Sequence, residues 1–175
     1  MYFQRRVMSS ANPRRADIIR HFTASGYVVH QGHVLLHWHP KVCALLPPGG
    51  HIEANEDPVE AVLREIKEET GLEAEVVSGL LPLDVKYPIQ VSPPETIMVE
   101  DIDDPEIGPH QHIDMIYFCQ LVDTMEKLKD GWHWIDETDL VDRIPINQDV
   151  VGVAIPAEDV RTLALRALRR ARNVR

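Results

Sequence analysis

Cysteine is scarce in this chain, and that scarcity excludes two classes of protein. Of the 175 residues only Cys43 and Cys119 are cysteines, and each lies in an apolar stretch without a CxxC partner. Two cysteines are too few for a scaffold stabilised by disulfides, and their spacing is not that of a structural zinc site. We therefore expect two buried, reduced thiols.

Long hydrophobic runs and positive charge are also in short supply. No segment approaches the roughly 20 apolar residues that a membrane-spanning helix needs, and the N-terminus lacks the apolar core of a secretory signal. With 18 basic and 28 acidic residues, the formal net charge is −10. Because such a chain gains nothing from counterion release on duplex DNA, we expect no nucleic-acid partner. We expect a cytoplasmic protein without membrane contacts that acts on a small molecule.

The length predicts one domain with one sizeable core. We expect residues 13–175 to form this domain and residues 1–12 to be an N-terminal extension. The first four residues of the extension resemble the remnant of an expression tag. Ile18, Ile19 and Phe22 stand at helical spacing before Gly26 and predict a short helix over residues 13–25.

Runs of β-branched and other apolar residues predict the strands. Residues 27–30 and 34–38 flank Gly32 and predict a hairpin, followed by a short apolar run at residues 42–46. Further strands are expected at residues 74–77, 79–85, 113–122 and 132–135. The stretch from 88 to 109 is acidic, rich in proline and without clear periodicity. We expect a long surface loop or a mobile flap there.

The clearest predicted helix follows residue 57. Asp57 can cap its N-terminus, Pro58 suits the first helical position, and Gly71 ends it. Residues 137–141 suggest a helical turn, and residues 156–172 an amphipathic helix with a basic C-terminal end. A helix lying on a membrane surface would show the same pattern, but a helix that closes the domain also explains it.

Three carboxylates gather on the first of these helices. Its apolar stripe consists of Val59, Val62, Leu63 and Ile66. With that stripe facing the core, Glu65 and Glu69 lie one turn apart along its margin, and Glu68 lies further round beside Arg64. Like charges at this spacing destabilise an isolated helix by about 0.2–0.5 kcal/mol unless a positive charge lies among them. Mg²⁺ takes carboxylate ligands of this kind, and a solvated acidic face is the alternative.

The segment from 50 to 72 matches a nine-position pattern, G-x5-E-x7-R-E-U-x-E-E-x-G-U, in which U is aliphatic. The matching residues are Gly50, Glu56, Arg64, Glu65, Ile66, Glu68, Glu69, Gly71 and Leu72. In this pattern the chain resembles the Nudix hydrolases. The resemblance implies an α/β/α sandwich with a mixed β-sheet, in which this segment, the Nudix box, forms loop–helix–loop. It also implies a pyrophosphohydrolase that uses Mg²⁺ or Mn²⁺ to cleave a nucleoside diphosphate derivative or a nucleoside triphosphate.

The same resemblance implies roles for individual residues. Metal-binding roles are implied for the carbonyl of Gly49 and for Glu65, Glu68 and Glu69, and the three glutamates are also the implied catalytic residues. Structural support of the box is implied for Gly50, Glu56, Arg64 and Gly71. In particular, Glu56 and Arg64 look like an ion pair that holds the box loop against the helix, and such a pair is costly to break. The metal would neutralise diphosphate charge and lower the pKa of a bound water.

The motif leaves the general base and the substrate contacts open. Candidate bases are Glu65 and Glu68 within the box, and Glu95, Glu100 and Glu106 beyond it. His110, His112 and Asp114 stand at alternate positions at the start of a predicted strand. On a strand His112 and Asp114 share a face, where they would meet a substrate phosphate or ribose. A local hydrogen bond at a loop end is the alternative.

Two other functions share the box. An RNA 5′-end pyrophosphohydrolase would use the same carboxylates, although the acidic charge argues against an RNA partner. A nucleotide-sensing module would bind without turnover, although such modules usually have a damaged box. A homodimer is compatible with the family resemblance, and the sequence does not decide it.

Overall fold

Two long parallel strands organise the sheet. The computed structural model describes residues 18–122, 128–148 and 152–173. Strand β1 (Arg20–His30) pairs with strand β7 (Gly108–Leu121). Their register runs without interruption from the pair Arg20–Gln111 to the pair Val29–Gln120. Each strand also has neighbours on its other edge, so both lie in the interior of the sheet.

The remaining elements complete the sheet and cover it. Along the chain they are β2 (His33–His39), β3 (Ala44–Leu46), β4 (Gly49–His51), α1 (Pro58–Thr70), β5 (Ala74–Val76), β6 (Thr96–Asp104), β8 (Trp132–Asp136), α2 (Glu137–Asp142), β9 (Ile146–Gln148), β10 (Gly152–Ala154) and α3 (Glu158–Asn173). Within the described residues eight strands form one mixed sheet, and β9 and β10 form a separate antiparallel pair. The second edge of β1 is shared, because β2 pairs with its C-terminal end and β4 with its N-terminal half.

Helices pack on both faces of the sheet and divide the core into two clusters. The cluster that includes α1 contains the buried residues Ala24, Val28, Leu35, Ala61, Val62, Ile66 and Tyr117. The cluster that includes α3 contains the buried residues Tyr27, Val29, Leu36, Ile116, Phe118, Leu163 and Leu168. The predicted α/β/α sandwich with a mixed sheet is therefore confirmed. Since the apolar side chains of α3 are buried in this core, that helix closes the domain. In the described ranges no helix is long and apolar enough to span a membrane.

Helix α1 begins and ends at the predicted residues. The Asp57 side chain accepts hydrogen bonds from the backbone N–H groups of Val59 and Glu60, and the Glu60 side chain accepts one from Asp57 N–H. At the other end Gly71 adopts a left-handed conformation with φ 81°, which favours glycine, and its N–H donates to the Lys67 carbonyl. The box helix is thus fixed locally by its own cap residues.

The prediction of a helix over residues 13–25 is wrong in the part that the structure describes. Arg20 begins β1, and Gly26 lies inside that strand rather than ending a helix. The side chains whose spacing indicated a helix do not form a buried stripe, because Ile19 is 60% exposed and Phe22 is 52% exposed. Pairing with β7 supplies the backbone hydrogen bonds instead, which overrides the weak local preference. Residues 1–17, including the expected extension over 1–12, lie outside the described residues.

Three further predictions need correction. Residues 79–85 form no strand and are exposed. The expected loop over 88–109 is wrong in its second half, because Thr96–Asp104 forms β6 and pairs antiparallel with β7. Cys119 is buried as expected, but Cys43 is exposed because it lies in the turn before β3, where its thiol donates to the Pro40 carbonyl. The predicted hairpin, the strands at 74–77, 113–122 and 132–135, and the helices at 137–141 and 156–172 are confirmed, although β1 and β7 begin well before the predicted residues 27 and 113.

The contact between Gly26 and α1 generates a stability prediction. A methyl group on Gly26 would stand 2.7 Å from Ile66 Cδ1 and 2.9 Å from Val62 Cγ2. We therefore expect Gly26→Ala to lower the free energy of unfolding by about 1–3 kcal/mol through overpacking. Ile66→Val removes the Cδ1 atom and should alone cost about 0.5–1.5 kcal/mol. The double variant should lose less free energy of unfolding than the sum of the two single losses, as measured by urea denaturation. Fully additive costs would show that this contact is not the source of the strain.

Candidate active site

The short strand β4 connects the sheet to the end of the helix that carries the carboxylates. Gly49 pairs with Ser25 of β1, and a Cβ atom on Gly49 would stand 2.6 Å from the Ala24 carbonyl oxygen. The Gly49 N–H donates to Oε2 of Glu69 at 3.2 Å. At the next position a methyl group on Gly50 would overlap the Glu65 carboxylate. The two glycines therefore allow the backbone of β4 to approach both glutamates closely.

Arg64 is the centre of the hydrogen-bond network in the box. Its Nε donates to Glu56 Oε1 at 2.6 Å and its Nη2 to Glu56 Oε2 at 3.1 Å, which is a bidentate contact. Its Nη1 donates to Glu65 at 2.8 Å and to Glu68 at 3.1 Å. The Nη2 also donates to the His51 carbonyl at 3.1 Å. The ion pair expected between Glu56 and Arg64 is present, and its hydrogen bonds hold the pKa of Glu56 below the usual value.

The pKa of Glu69 is shifted in the opposite direction from that of Glu56. Burial raises the pKa of Glu69, the hydrogen bond from Gly49 N–H opposes that rise, and the charges of Glu65 and Glu68 add to it. The three carboxylates are therefore close enough to repel one another, and a divalent cation among them would relieve this repulsion. Their donor atoms are oxygens, the ligand type that Mg²⁺ and Mn²⁺ prefer. The residues thus fit the metal that the sequence implied, while the role of each as a ligand stays a prediction.

Two residues outside the box fix the C-terminal end of α1. Trp132 Nε1–H donates to the Glu69 carbonyl at 3.1 Å, and Lys129 Nζ donates to the Glu68 carbonyl. These carbonyls lie in the last turn of α1, where backbone carbonyls have no N–H partner within the helix. Trp132 follows Glu69 by 63 positions, so no local sequence pattern could reveal this contact.

Asp114 lies on β7, across β1 from the box. It is 7% exposed, and it accepts hydrogen bonds from the hydroxyl groups of Thr23 at 3.0 Å and Ser25 at 2.9 Å. Burial raises the pKa of Asp114 above its usual value, and the two hydroxyl groups oppose that rise. Because Ser25 pairs with Gly49, one strand separates this carboxyl from the box. Its expected contact with a phosphate or ribose stays a prediction.

The remaining candidates are distributed over several places. Glu95 forms an ion pair with Arg170 of α3 at 2.8 Å, and Glu106 lies in the turn between β6 and β7. Glu100 stands opposite His112 in the β6–β7 pairing. Burial and the neighbouring histidines lower the pKa of His112 to about 4, so this imidazole is uncharged at neutral pH. The structure thus brings Glu100 and His112 to the same part of the sheet and keeps Glu95 with α3.

Comparison with known families agrees with this arrangement. The model of the NUDIX domain matches residues 20–151. The chain belongs to the Nudix family. A hydrolase of the NUDIX family from Clostridium perfringens is similar in structure, with a TM-score of 0.67 and 30% identity over 86% of this chain and 97% of that chain. A MutT protein from Bacillus halodurans shares the fold, with a TM-score of 0.51 and 18% identity over 85% of this chain and 82% of that chain.

Two curated Nudix-like proteins are similar in sequence over part of their length. A probable DHNTP pyrophosphohydrolase from Lactococcus lactis subsp. cremoris is 30% identical over 57% of this chain and 53% of that protein. An RNA pyrophosphohydrolase from Gluconacetobacter diazotrophicus is 32% identical over 55% of this chain and 59% of that protein. The chain thus spans little more than half the length of the curated relatives it matches.

The bidentate contact of Arg64 generates a prediction about the Nudix box. Arg64→Lys keeps the positive charge but cannot reproduce the fork of hydrogen bonds to Glu56 and the bonds to the helix. Because Arg64 orients residues of the box, we expect hydrolytic turnover to fall by roughly 10- to 100-fold, the loss typical when a partner of a metal ligand is removed. The matched control is Arg20→Lys, because Arg20 lies outside the box and donates an exposed hydrogen bond to Gln111. Equal activity of the two variants would contradict the role given to Arg64.

Proposed function

We propose that this chain is a divalent-metal-dependent pyrophosphohydrolase. Its substrate is a nucleoside diphosphate derivative or a nucleoside triphosphate, and it cleaves the diphosphate linkage. The observation that carries the proposal is that Glu65 and Glu69 of α1 lie against the β4 backbone, with Arg64 joining Glu65 and Glu68 to the box loop. We also propose a single domain over residues 13–175, a cytoplasmic location and, as an open alternative, a homodimer.

The metal, Mg²⁺ or Mn²⁺, would supply charge neutralisation of the diphosphate and an activated water when it is bound. Glu65, Glu68, Glu69 and the Gly49 carbonyl would hold it. Arg64 orients Glu65 and Glu68 from one side, and the Gly49 N–H orients Glu69 from the other. Such preorganisation matters because phosphoryl transfer depends mainly on positioning and electrostatic stabilisation.

The general base is proposed from the same set of carboxylates. Glu65 and Glu68 accept hydrogen bonds from Arg64, so their second oxygen atoms remain available for a water molecule. Glu100, opposite His112 on the neighbouring strand pair, is the candidate from outside the box. Glu95 is less suited, because it pairs with Arg170 of α3, which packs on the opposite face of the sheet from α1.

Two relatives bear on the substrate class. One is named a probable DHNTP pyrophosphohydrolase and the other an RNA pyrophosphohydrolase, and both names describe cleavage of a phosphoanhydride. The formal net charge of −10 disfavours a long RNA partner, so we favour a free nucleotide. RNA 5′ ends are the second candidate, because a relative with 32% identity carries that name. A nucleotide sensor without turnover is the third candidate, and it would not need an intact set of box carboxylates.

The decisive experiment compares the wild-type chain with Glu69→Gln on a substrate panel. The panel contains nucleoside triphosphates, ADP-ribose, nucleotide sugars, dinucleoside polyphosphates and a 5′-triphosphorylated RNA, with Mg²⁺ or Mn²⁺. We expect metal-dependent phosphate or pyrophosphate release that falls by at least about 100-fold in the variant, because a ligand matters more than its partners do. Glu75→Gln, a change of a glutamate on β5, is the matched control.

The outcomes separate the candidate functions. Turnover on free nucleotides that disappears in Glu69→Gln supports the proposal, and turnover confined to RNA selects the second candidate. If no compound is hydrolysed while nucleotides still raise the melting temperature, the chain is a sensor and the proposal is wrong.

A further inference from the structure

Four histidines from three strands meet at one end of the sheet. His21 lies on β1, His51 on β4, and His110 and His112 on β7. The parallel register sets His21 beside His112, and the β1–β4 pairing brings His51 beside Thr23, two residues further along β1. His51 also belongs to the Nudix box, so this histidine cluster adjoins the candidate active site. Among these histidines only His112 is an expected substrate contact, and the proposed hydrolysis gives the other three no role.

The nitrogen atoms of the histidine cluster face one another at short range. His51 Nε2 lies 3.3 Å from His21 Nδ1, and His110 Nε2 lies 3.2 Å from His112 Nε2. One nitrogen atom from each of His21, His110 and His112 lies within 4.8 Å of the other two. A zinc ion with bonds of about 2.0–2.1 Å sets its tetrahedral ligands about 3.4 Å apart. The two short pairs already have about this spacing.

The orientation of His110 is fixed by a partner outside the cluster. Its Nδ1 lies 2.9 Å from the Gly108 carbonyl oxygen, and the residue is 4% exposed. A carbonyl oxygen can only accept, so Nδ1 carries the proton and a neutral His110 keeps a lone pair on Nε2. A backbone carbonyl on the second ring nitrogen is the usual support of a histidine that binds a metal.

The chemistry of the cluster differs from that of the box. Imidazole nitrogen is a ligand that Zn²⁺, Cu²⁺ and Ni²⁺ accept well, whereas Mg²⁺ and Mn²⁺ prefer the oxygen atoms that the box provides. The nearest carboxyl on β7, that of Asp114, is held by Thr23 and Ser25. Glu100 pairs with His112 across the β6–β7 hairpin and therefore shares its face of the sheet, which adds negative charge beside the cluster.

We propose that His21, His110 and His112 form a second metal site, distinct from the carboxylates of the box, which binds a transition-metal ion of the zinc type. His51 is the fourth ligand. The bound ion ties the N-terminal parts of β1 and β7 to β4 and so stabilises the edge of the Nudix box. The ion replaces the N–H···N hydrogen bond within each short histidine pair. The donor ring of each pair changes tautomer, its proton passing through solvent to the other ring nitrogen, so that each imidazole binds as a neutral ligand.

The test measures metal binding directly and needs no substrate. Zn²⁺ is titrated into the full chain by calorimetry in excess Mg²⁺, which occupies the carboxylates of the box. Co²⁺ is used in parallel, because four-coordinate Co²⁺ absorbs visible light far more strongly than six-coordinate Co²⁺. We expect one equivalent of tightly bound Zn²⁺, a higher melting temperature with Zn²⁺, and a strong Co²⁺ spectrum.

Variants assign the ion to the histidine cluster. His112→Gln and His21→Gln should each weaken Zn²⁺ binding by at least about tenfold, since even the partners of ligands usually change affinity by 10- to 100-fold. His33→Gln is the matched control, because His33 is bonded to Gln31 outside the cluster. His37→Gln tests the separate pair formed by His37 and His39. His21→Gln serves alone if His112→Gln does not fold.

The proposal is independent of the hydrolase activity, because every readout is a binding or spectroscopic measurement. It is overturned if the wild-type chain binds no Zn²⁺ in excess Mg²⁺, or if the cluster variants bind it as the wild type does. Loss of the Zn²⁺ signal in Glu69→Gln or His37→Gln, with the cluster variants unchanged, would place the ion elsewhere and would overturn it as well.

Discussion

Arg64 joins three parts of the Nudix box through five hydrogen bonds. It bonds to Glu65 and Glu68 on α1, to Glu56 in the preceding loop, and to the His51 carbonyl on β4. Without this guanidinium, carboxylates on adjacent helical turns would repel one another and the loop would lose its anchor. The positions of the loop, the helix and the short strand relative to one another therefore depend on one planar cation, whose fork geometry matches a carboxylate.

The carboxylate that Arg64 does not reach is held by other means. The Glu69 side chain accepts the Gly49 N–H, and the Glu69 carbonyl accepts the indole N–H of Trp132. Gly49 comes before the helix and Trp132 long after it, so the last turn of α1 is fixed from both directions along the chain. Gly49 pairs with Ser25 of β1, and the Ser25 hydroxyl donates a hydrogen bond to Asp114 of β7. The box is thus continuous with the centre of the fold.

Local patterns predicted the parts of this structure that are determined locally. The capping residues of α1, the β1–β2 hairpin and the nine positions of the box depend on residues close in sequence, and the sequence analysis found them. The N-terminal part of β1, residues 20–26, was missed because its order comes from pairing with residues about 91 positions away. The strand β6 was missed although its partner β7 follows it closely in sequence, because its acidic residues have little intrinsic preference for a strand. His21 and His51 were not singled out, because only the three-strand arrangement brings them to His110 and His112.

The pairing of β1 with β7 also bears on how the protein is made. During translation β1 and β2 are synthesised well before β7, and loop closure over this distance must precede the pairing of β1 with β7. Until then the inner edge of β1 presents unpaired backbone groups next to side chains that are later buried, such as Tyr27 and Val28. An open edge of this kind pairs readily with other chains. The nascent chain, more than the finished protein, is therefore the stage that needs protection from aggregation.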